Sequence, residues 1–517
     1  MGLDRADIMI PDVLSTHGTF HPEREAVVCG EVRRNWGDFN RNTNRVANAL
    51  LGLGVQKGER VAVMMGNSVE MLEAMFGVVK AGACVVPLSG LLTGEQLAGL
   101  LDNSGAVAAL ATPEFIDKLQ GHLEAAPALR ADARVVVHGQ APGWQAYDDW
   151  LQAASSDTPL VTYSPDDAFN IIYSSGTTGL PKGIVQTHRA RTHWAVSNGL
   201  EMGFTDRARA LTTTALYSNG TWLMMLPVLF AGGTCVVMPS FDAAQFLRTA
   251  QDERISHSFL VPAQYIAVLQ QDAAAHDLSA LQVLLCAGSP LRRDTKREVL
   301  AAFGPKLIEL YGFSEGFATM LKPQAPEAKF HTVGTPVLGF ELRIVDDEGR
   351  ALPRGETGEI CGYGPGMMAG YHGNEAATEA LIWRDERGRS FIRSGDVGHM
   401  DEDGYLVLVD RKKDMIISGG FNVFPSDLEE IVGQHPEVQD VTVIGVPHER
   451  WGETPLALVI AQHGVSLDTQ AVLTWCNARL AKHQRLSGVE LRDDFPRNAL
   501  GKVLKRLLRE PYWAGQS

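Results

Sequence analysis

Over roughly the first 150 residues the apolar positions alternate between two spacings. Phe39, Val46 and Leu50 fall at helical intervals, while the run Val61 to Met65 is short and apolar throughout, as a strand is. Ser68 to Ala81 returns to the longer pattern, and Cys84 to Val86 gives another short run closed by Pro87. This alternation predicts an α/β chain. It continues through Phe169 to Tyr173, Val283 to Cys286 and Leu307 to Leu310, each too short for a helix and followed closely by glycine or serine, so each reads as a buried strand ending at a loop.

After about residue 335 the strands become more polar and are joined by acidic turns. Phe340 to Val345 precedes Asp346-Asp347-Glu348-Gly349, and Tyr405 to Val409 precedes the charged run Asp410-Arg411-Lys412-Lys413-Asp414. A domain boundary is expected at that run. Beyond it Asp427 to Val432 and Asp468 to Cys476 read as helices, and Val441 to Val446 and Leu456 to Ile460 as strands. The predicted architecture is a large multi-layer α/β domain over residues 1–409 and a small, mobile α+β domain over 410–517, without internal repeats or low-complexity segments.

Composition narrows the function classes. A chain of 517 residues with 45% hydrophobic and 21% charged positions excludes wholesale disorder, collagen and coiled coil, and has room for more than one domain. Its 46 basic against 61 acidic residues give a net charge of −15, so no broad nucleic-acid or anionic-membrane partner is expected, and an anionic substrate needs a local positive site. Cys29, Cys84, Cys235, Cys286, Cys361 and Cys476 are scattered singly with no metal-ligand spacing, which fits a reduced setting. The opening MGLDRADIMIPD lacks the basic and apolar regions of a signal peptide, and no run of about 18 apolar residues exists to span a bilayer. A cytoplasmic protein with no integral membrane association is the expectation.

Chemistry concentrates in a few loops. Tyr173-Ser174-Ser175-Gly176-Thr177-Thr178-Gly179-Leu180-Pro181-Lys182-Gly183 follows an apolar strand and offers phosphate oxygens many donors and one cation, although it lacks the spacing of a Walker A loop. Gly312-Phe313-Ser314-Glu315-Gly316 satisfies the Gly-x-Ser-x-Gly pattern of a hydrolase elbow, with Ser314 as nucleophile. Against that reading, an elbow requires a helix directly afterwards, Pro323 interrupts within two turns, and Glu315 suits a cation better than a neighbouring nucleophile.

These two loops stand in order with Ser394-Gly395-Asp396, Asp410 to Asp414, Ser418-Gly419-Gly420-Phe421-Asn422 and the terminal Pro496-Arg497-Asn498-Ala499-Leu500-Gly501-Lys502. In that order the chain resembles the adenylate-forming superfamily, and within it the acyl-CoA synthetases, relatives of luciferases and peptide-synthetase adenylation domains. The resemblance spans residues 24 to 507 or thereabouts. It implies the adenylate-forming fold, ATP and Mg²⁺ as cofactors, coenzyme A as co-substrate, and an acid–thiol ligase working in two half-reactions. A carboxylate attacks the α-phosphate of ATP to give acyl-AMP and pyrophosphate, and the CoA thiol then attacks the mixed anhydride.

Roles follow from the same resemblance. Thr177, Thr178 and Lys182 would hold the β- and γ-phosphates, Ser174, Ser175 and Gly176 would belong to the same ATP-binding loop, and Glu315 and Thr178 would serve catalysis by holding Mg²⁺. Ser314 replaces the threonine more usual there and keeps the hydroxyl. Lys502 is the first choice for catalysis, bridging the incoming carboxylate and the α-phosphate, although read alone it is one more exposed lysine. Asp396 would accept the ribose hydroxyls and Arg411 would donate to the ribose, while Ala287, Gly288, Ser289, Tyr311 and Gly312 would frame the adenine. Asp410 would be the hinge that swings the small domain, exchanging Lys502 for the CoA-binding Ser418, Gly419, Gly420 and Phe421.

By the same resemblance Tyr217 would stand at the aromatic gate beside the acid, and His448 would occupy a place where relatives commonly carry an aspartate. Tyr217, Asn219, Gly220, Trp222, Phe313, Val333 and Gly334 would line the acyl pocket, a mixture of aromatic and small side chains suited to an aryl or medium-chain aliphatic monocarboxylate. Trp222 or Met224 could close its floor or turn aside, depending on rotamers. No basic residue lies in the Tyr217 segment to pair a second carboxylate. Alternatives are an acyl-AMP ligase that delivers to a carrier-protein thiol, a nucleotide-binding protein without turnover, and the serine hydrolase. Dimers occur among relatives, though the sequence shows no interface signature.

Overall fold

A computed structural model of the chain describes residues 7–174, 181–418, 421–497 and 501–514. Among these residues the strands form four sheets. The largest runs Thr335–Pro336, Ala318–Leu321, Leu307–Gly312, Val283–Cys286, His257–Leu260, Arg209–Thr212, Thr234–Val237, Glu25–Cys29 and Val32–Asn35. Its middle strands are parallel and buried along their length, as His257–Leu260 and Val283–Cys286 show, because helices cover both faces of such a sheet. The short apolar runs without alternation predicted this.

Leu307–Gly312 runs parallel to Val283–Cys286 and then turns back antiparallel into Ala318–Leu321. The turn that carries Ser314 therefore joins two strands. A nucleophile elbow joins a strand to a helix, so the hydrolase reading of Ser314 fails on topology.

The second sheet runs Gly370–Tyr371, Gly183–Thr187, Ala168–Tyr173, Cys84–Pro87, Arg60–Met64, Ala106–Ala111, Arg134–Val136 and Gln145–Ala146. Ala168–Tyr173 and Gly183–Thr187 are antiparallel with Tyr173 opposite Gly183, and Ser174 N–H donates to the Lys182 carbonyl at 3.0 Å. These two strands form the stem beneath the hydroxyl- and glycine-rich loop.

Between the sheets lies one large core, filled by the helices Trp36–Gly52, Val69–Lys80 and Trp222–Phe230. Val69–Lys80 starts where Ser68 accepts from the Met71 N–H and ends at Ala81, so the predicted Ser68 to Ala81 segment is helix plus both caps. Trp222–Phe230, with the sequence WLMMLPVLF, is apolar on every side and is accordingly buried. His188–Met202 is capped by the Thr187 hydroxyl at its start and by Gly203 in the left-handed region, φ 73°, at its end. It buries His188, Arg191, Ala195, Asn198 and Met202, a helical stripe that is half polar.

The third sheet runs Glu341–Val345, Gly358–Tyr363, Ser390–Met400 and Ile382–Arg384, with Leu406–Arg411 added on Ser390–Met400. The last strand extends through Asp410 and Arg411, two residues into the charged run, because Asp396 pairs with Arg411 in the ladder. The fourth sheet begins at Ile416–Ser418 and contains Phe421–Val423, Gly452–Ala461, Val438–His448 and Gly488–Leu491. It packs on the helices Pro425–Gly433 and Thr469–Asn477 around Val432, Val443, Val459 and Cys476. Among the described residues no helix is long and apolar enough to cross a membrane.

Candidate active site

The most closely knit cluster surrounds Asp396. The Tyr311 hydroxyl donates to Asp396 Oδ2 at 2.8 Å, and Arg411 Nε lies 3.2 Å from Asp396 Oδ1. Asp396 itself is buried, and its N–H is fixed by the Ser394 hydroxyl at 3.0 Å across Gly395, whose φ of 71° few other residues tolerate. Burial, followed by the neighbouring carboxylate, pushes the Tyr311 phenol well above its ordinary value, so it stays a donor.

Lys502 comes to the same cluster from the far end of the chain. Desolvation, and after it the Arg411 charge, lower its pKa to about 7 against the opposing pull of Asp396. Its turn is held by a relay of charges. Arg497 donates to the Gly501 carbonyl at 2.8 Å and to Asp440 at 2.5 Å, and Asp440 also pairs with Arg292 of the first sheet's domain at 2.9 Å.

A second cluster lies beyond the stem of the Ser174–Lys182 loop. Lys182 Nζ sits 4.7 Å over the Tyr371 ring, and the Tyr371 hydroxyl donates to Glu315 Oε1 at 2.8 Å. The Glu315 carbonyl accepts from Met368 N–H and the Ser314 carbonyl from Gln186 Nε2 at 2.9 Å, which ties the turn to the second sheet. Glu315 and Lys182, expected at a metal and at phosphates, thus meet through Tyr371. Sequence reasoning missed that tyrosine. Its only signal is that Gly370-Tyr371 adds an edge strand to Gly183–Thr187, a pairing that no local pattern announces.

The segment expected to line the acyl pocket packs on the helix Trp222–Phe230. Trp222 is buried with Nε1 donating to the Leu216 carbonyl at 2.9 Å, which settles its rotamer. Tyr217, Asn219, Gly220 and Phe313 are half-buried, and Val333 and Gly334 are buried. A Cβ at Gly334 would lie 1.9 Å from the Met320 carbonyl oxygen, so only glycine fits that approach. The second residue missed is Arg191. It donates from Nε to Asn170 Oδ1 at 2.7 Å and from Nη2 to Asn219 Oδ1 at 2.9 Å, and it lies 4.5 Å over the Trp222 ring. The Tyr217 segment has no basic residue of its own, but the helix His188–Met202 brings one to it.

Ala287 is buried at the end of Val283–Cys286, Gly288 has a φ of 96°, and Ser289 is half-buried. A Cβ on Gly312 would lie 2.8 Å from the Phe317 carbonyl oxygen, which keeps that strand end bare. Asp410 accepts from the N–H groups of Arg411 and Ser426, the latter in the first turn of Pro425–Gly433, and the Ser426 hydroxyl returns to the Val409 carbonyl. Ser418 opens the hairpin to Phe421, whose ring is exposed. His448 caps the turn after it, its Nδ1 accepting from the N–H groups of Arg450 and Trp451, work an aspartate could equally perform. Ser175, Gly176, Thr177, Thr178, Gly419 and Gly420 lie outside the described residues.

Comparison with known proteins decides the family. The profile described as AMP-binding enzyme matches residues 14–372, and that of the AMP-binding enzyme C-terminal domain matches 427–502. The chain belongs to the AMP-binding enzyme family. It is 34% identical over 501 residues to a feruloyl-CoA synthase of Amycolatopsis, covering 95% of this chain and 96% of that one. It is also 32% identical over 504 residues to an indoleacetate–CoA ligase of Aromatoleum aromaticum, covering 96% and 97%. Among solved structures, ATP-bound MatB from Rhodopseudomonas palustris superposes with a TM-score of 0.88 at 27% identity, covering 98% of this chain and 99% of that one. This AMP-binding enzyme is a ligase of the AMP-forming acyl-CoA synthetase type, which joins a carboxylic acid to the thiol of CoA at the expense of ATP.

Proposed function

We propose that this ligase activates an aryl or medium-chain aliphatic carboxylic acid, with Lys502 as the residue that brings the acid and the α-phosphate together. The observation that supports the reading is that Lys502 lies within electrostatic reach of Arg411 and Asp396, the latter in turn held by Tyr311, groups far from it in sequence. Two anions must meet in adenylation, and a cation held between them offsets their repulsion. Lys502 is half-buried, and desolvation lowers its pKa to about 7; an α-phosphate beside it would favour the charged form. Asp396 accepts the ribose hydroxyls, Arg411 donates to the same sugar, and Tyr311 holds Asp396 in place. Ala287, Gly288, Ser289 and Gly312 leave a bare strand-end surface for the adenine.

Glu315 fits a Mg²⁺ ion. Among the described residues no group of three acidic, histidine or cysteine side chains gathers to hold a metal alone. A single carboxylate oriented by Tyr371 suits an ion that takes the rest of its ligands from phosphate and water. When bound, the ion would spread the charge of the departing pyrophosphate. Lys182 and the Ser174–Thr178 loop would hold the same phosphates.

The chain divides at Asp410, with residues 1–409 as the larger domain and 410–517 as the smaller. Asp410 ties the last strand of one to the first helix of the other, a position that can absorb a large backbone change. Rotation there would withdraw Lys502 and admit Ser418 to Phe421 for thioester formation, and a cytoplasmic setting would supply ATP and CoA together.

The test is pyrophosphate release from ATP and Mg²⁺ across benzoates, cinnamates, arylacetates and fatty acids, each with and without CoA. Release that depends on the acid and rises with CoA is expected. Release indifferent to CoA would mean another acceptor, and silence with every acid would overturn the reading.

A further inference from the structure

Among the described residues the buried lysines and arginines are Lys80, Arg191 and Lys296. Two of them have an acid in reach. Lys296 pairs with Glu309 at 2.5 Å, and Lys80, held by the amide oxygens of Asn40 and Asn44, feels the charge of Asp12. Arg191 differs. Its bonds go to the amide oxygens of Asn170 and Asn219, its face lies on the Trp222 indole, and no carboxylate among the described residues pairs with it.

Burying a guanidinium without a counter-ion is unfavourable by several kcal/mol, and neutral amides and an aromatic face recover only part of that. Burial lowers the pKa of Arg191 to about 9, so the cation persists at neutral pH. A guanidinium has five N–H donors, and the bonds to Asn170 and Asn219 do not exhaust them. Beside it, the buried Nδ2 of Asn170 is a donor without a hydrogen-bond partner among the described residues. Asn219 belongs to the segment read above as a wall of the acyl pocket, and the Trp222 ring is fixed by its bond to Leu216. Positive charge and unused donors therefore meet at that wall.

We propose that Arg191 receives a second anionic oxygen group of the acid substrate, remote from the carboxylate that is adenylated. The inference rests on the acyl-pocket reading and narrows its substrate class. The acid would carry one carboxylate to Lys502 and a second anion, a carboxylate in the simplest case, to Arg191 and Asn170 Nδ2. The indole beside the guanidinium suits an aryl or hydrocarbon spacer between the two.

The experiment compares matched acids: 3-phenylpropanoate, 3-(4-methoxyphenyl)propanoate and 3-(4-carboxyphenyl)propanoate, with heptanoate against pimelate. kcat/KM for pyrophosphate release is measured in the native enzyme and in Arg191→Met, Arg191→Gln and Arg191→Lys. The native enzyme should favour the dianionic member of each set by about ten- to a hundredfold. Arg191→Met and Arg191→Gln should erase that ratio, and Arg191→Lys should keep most of it. Because the ratio is taken within one preparation, general damage lowers both acids equally and leaves it in place. A native enzyme that turns over the monoanionic acids with no preference for the dianion overturns this inference alone. An equal preference for the methoxy acid overturns the anion. An unchanged ratio in Arg191→Met removes Arg191 from recognition, and no release with any acid defeats the acyl-pocket reading together with it.

Discussion

The two ends of the proposed site handle charge in opposite ways. At the proposed nucleotide end the charged groups described above face partners within the protein: Asp396 meets Arg411 and Tyr311, and Glu315 meets Tyr371, which also lies under Lys182. At the proposed acyl end the buried cation Arg191 faces, among the described residues, two amides and an indole and no carboxylate. A polyanionic nucleotide that arrives with its own metal needs a site that is organised but near balance, so that binding rearranges existing partners. An acid that must be chosen among many similar ones is better selected by an unbalanced charge, because a wrong acid leaves that charge unmet. The Lys296–Glu309 pair is the internal contrast: a cation equally buried, but paired with an acid.

The largest effect should come from the nucleotide end. Lys502→Ala should lower acid-dependent pyrophosphate exchange by about 10²–10³-fold for every acid while ATP binding, followed by calorimetry, is retained. If the loss depended on which acid is used, the division of labour between the two ends would break. Next, Lys296→Met should destabilise the fold by about 3 kcal/mol, because Glu309 is left buried and alone, without altering acid preference. Urea denaturation read beside the acid panel checks both halves of that statement. Arg191→Met leaves no carboxylate stranded and should destabilise less.

The charge state of Lys502 predicts a pH profile. With its pKa lowered to about 7, the free enzyme loses this cation as pH rises through that value. kcat/KM for ATP, which reports the free enzyme, should therefore fall up to tenfold per pH unit above about 7. Lys502→Arg, where active, should flatten the fall, since a guanidinium stays charged. Smaller still, Tyr371→Phe should raise the Mg²⁺ concentration for half-maximal rate by several-fold, as expected for one lost hydrogen bond to a carboxylate, with acid preference unmoved. The smallest change belongs to Asp440→Asn. Arg292, Asp440 and Arg497 are partly exposed, so a two- to threefold loss in adenylation is expected, with transfer from preformed acyl-AMP to CoA unaffected.

Much of the fold was legible because buried strands and capped helices announce themselves locally. Val283 to Cys286 is apolar without alternation and is a strand buried on both faces, and Ser68 opens a helix through its own hydroxyl. The charged run did not announce that its first two residues, Asp410 and Arg411, complete a strand paired with Val397 and Asp396. Arg191 escaped notice for a different reason. It stands in the stripe His188, Arg191, Ala195, Asn198 and Met202, and a stripe that is half polar looks like a solvated face until packing shows that it is buried.

By itself the sequence determined the order of the chemical loops and hence the family, because each motif is a few adjacent residues whose spacing is carried by the chain. Only the tertiary structure decided which of them meet. It set Tyr371 on Glu315, Arg292 and Arg497 on Asp440, and Arg191 on Asn219. Such contacts join residues remote along the chain, and they are fixed by how sheets and helices pack, which no local period encodes.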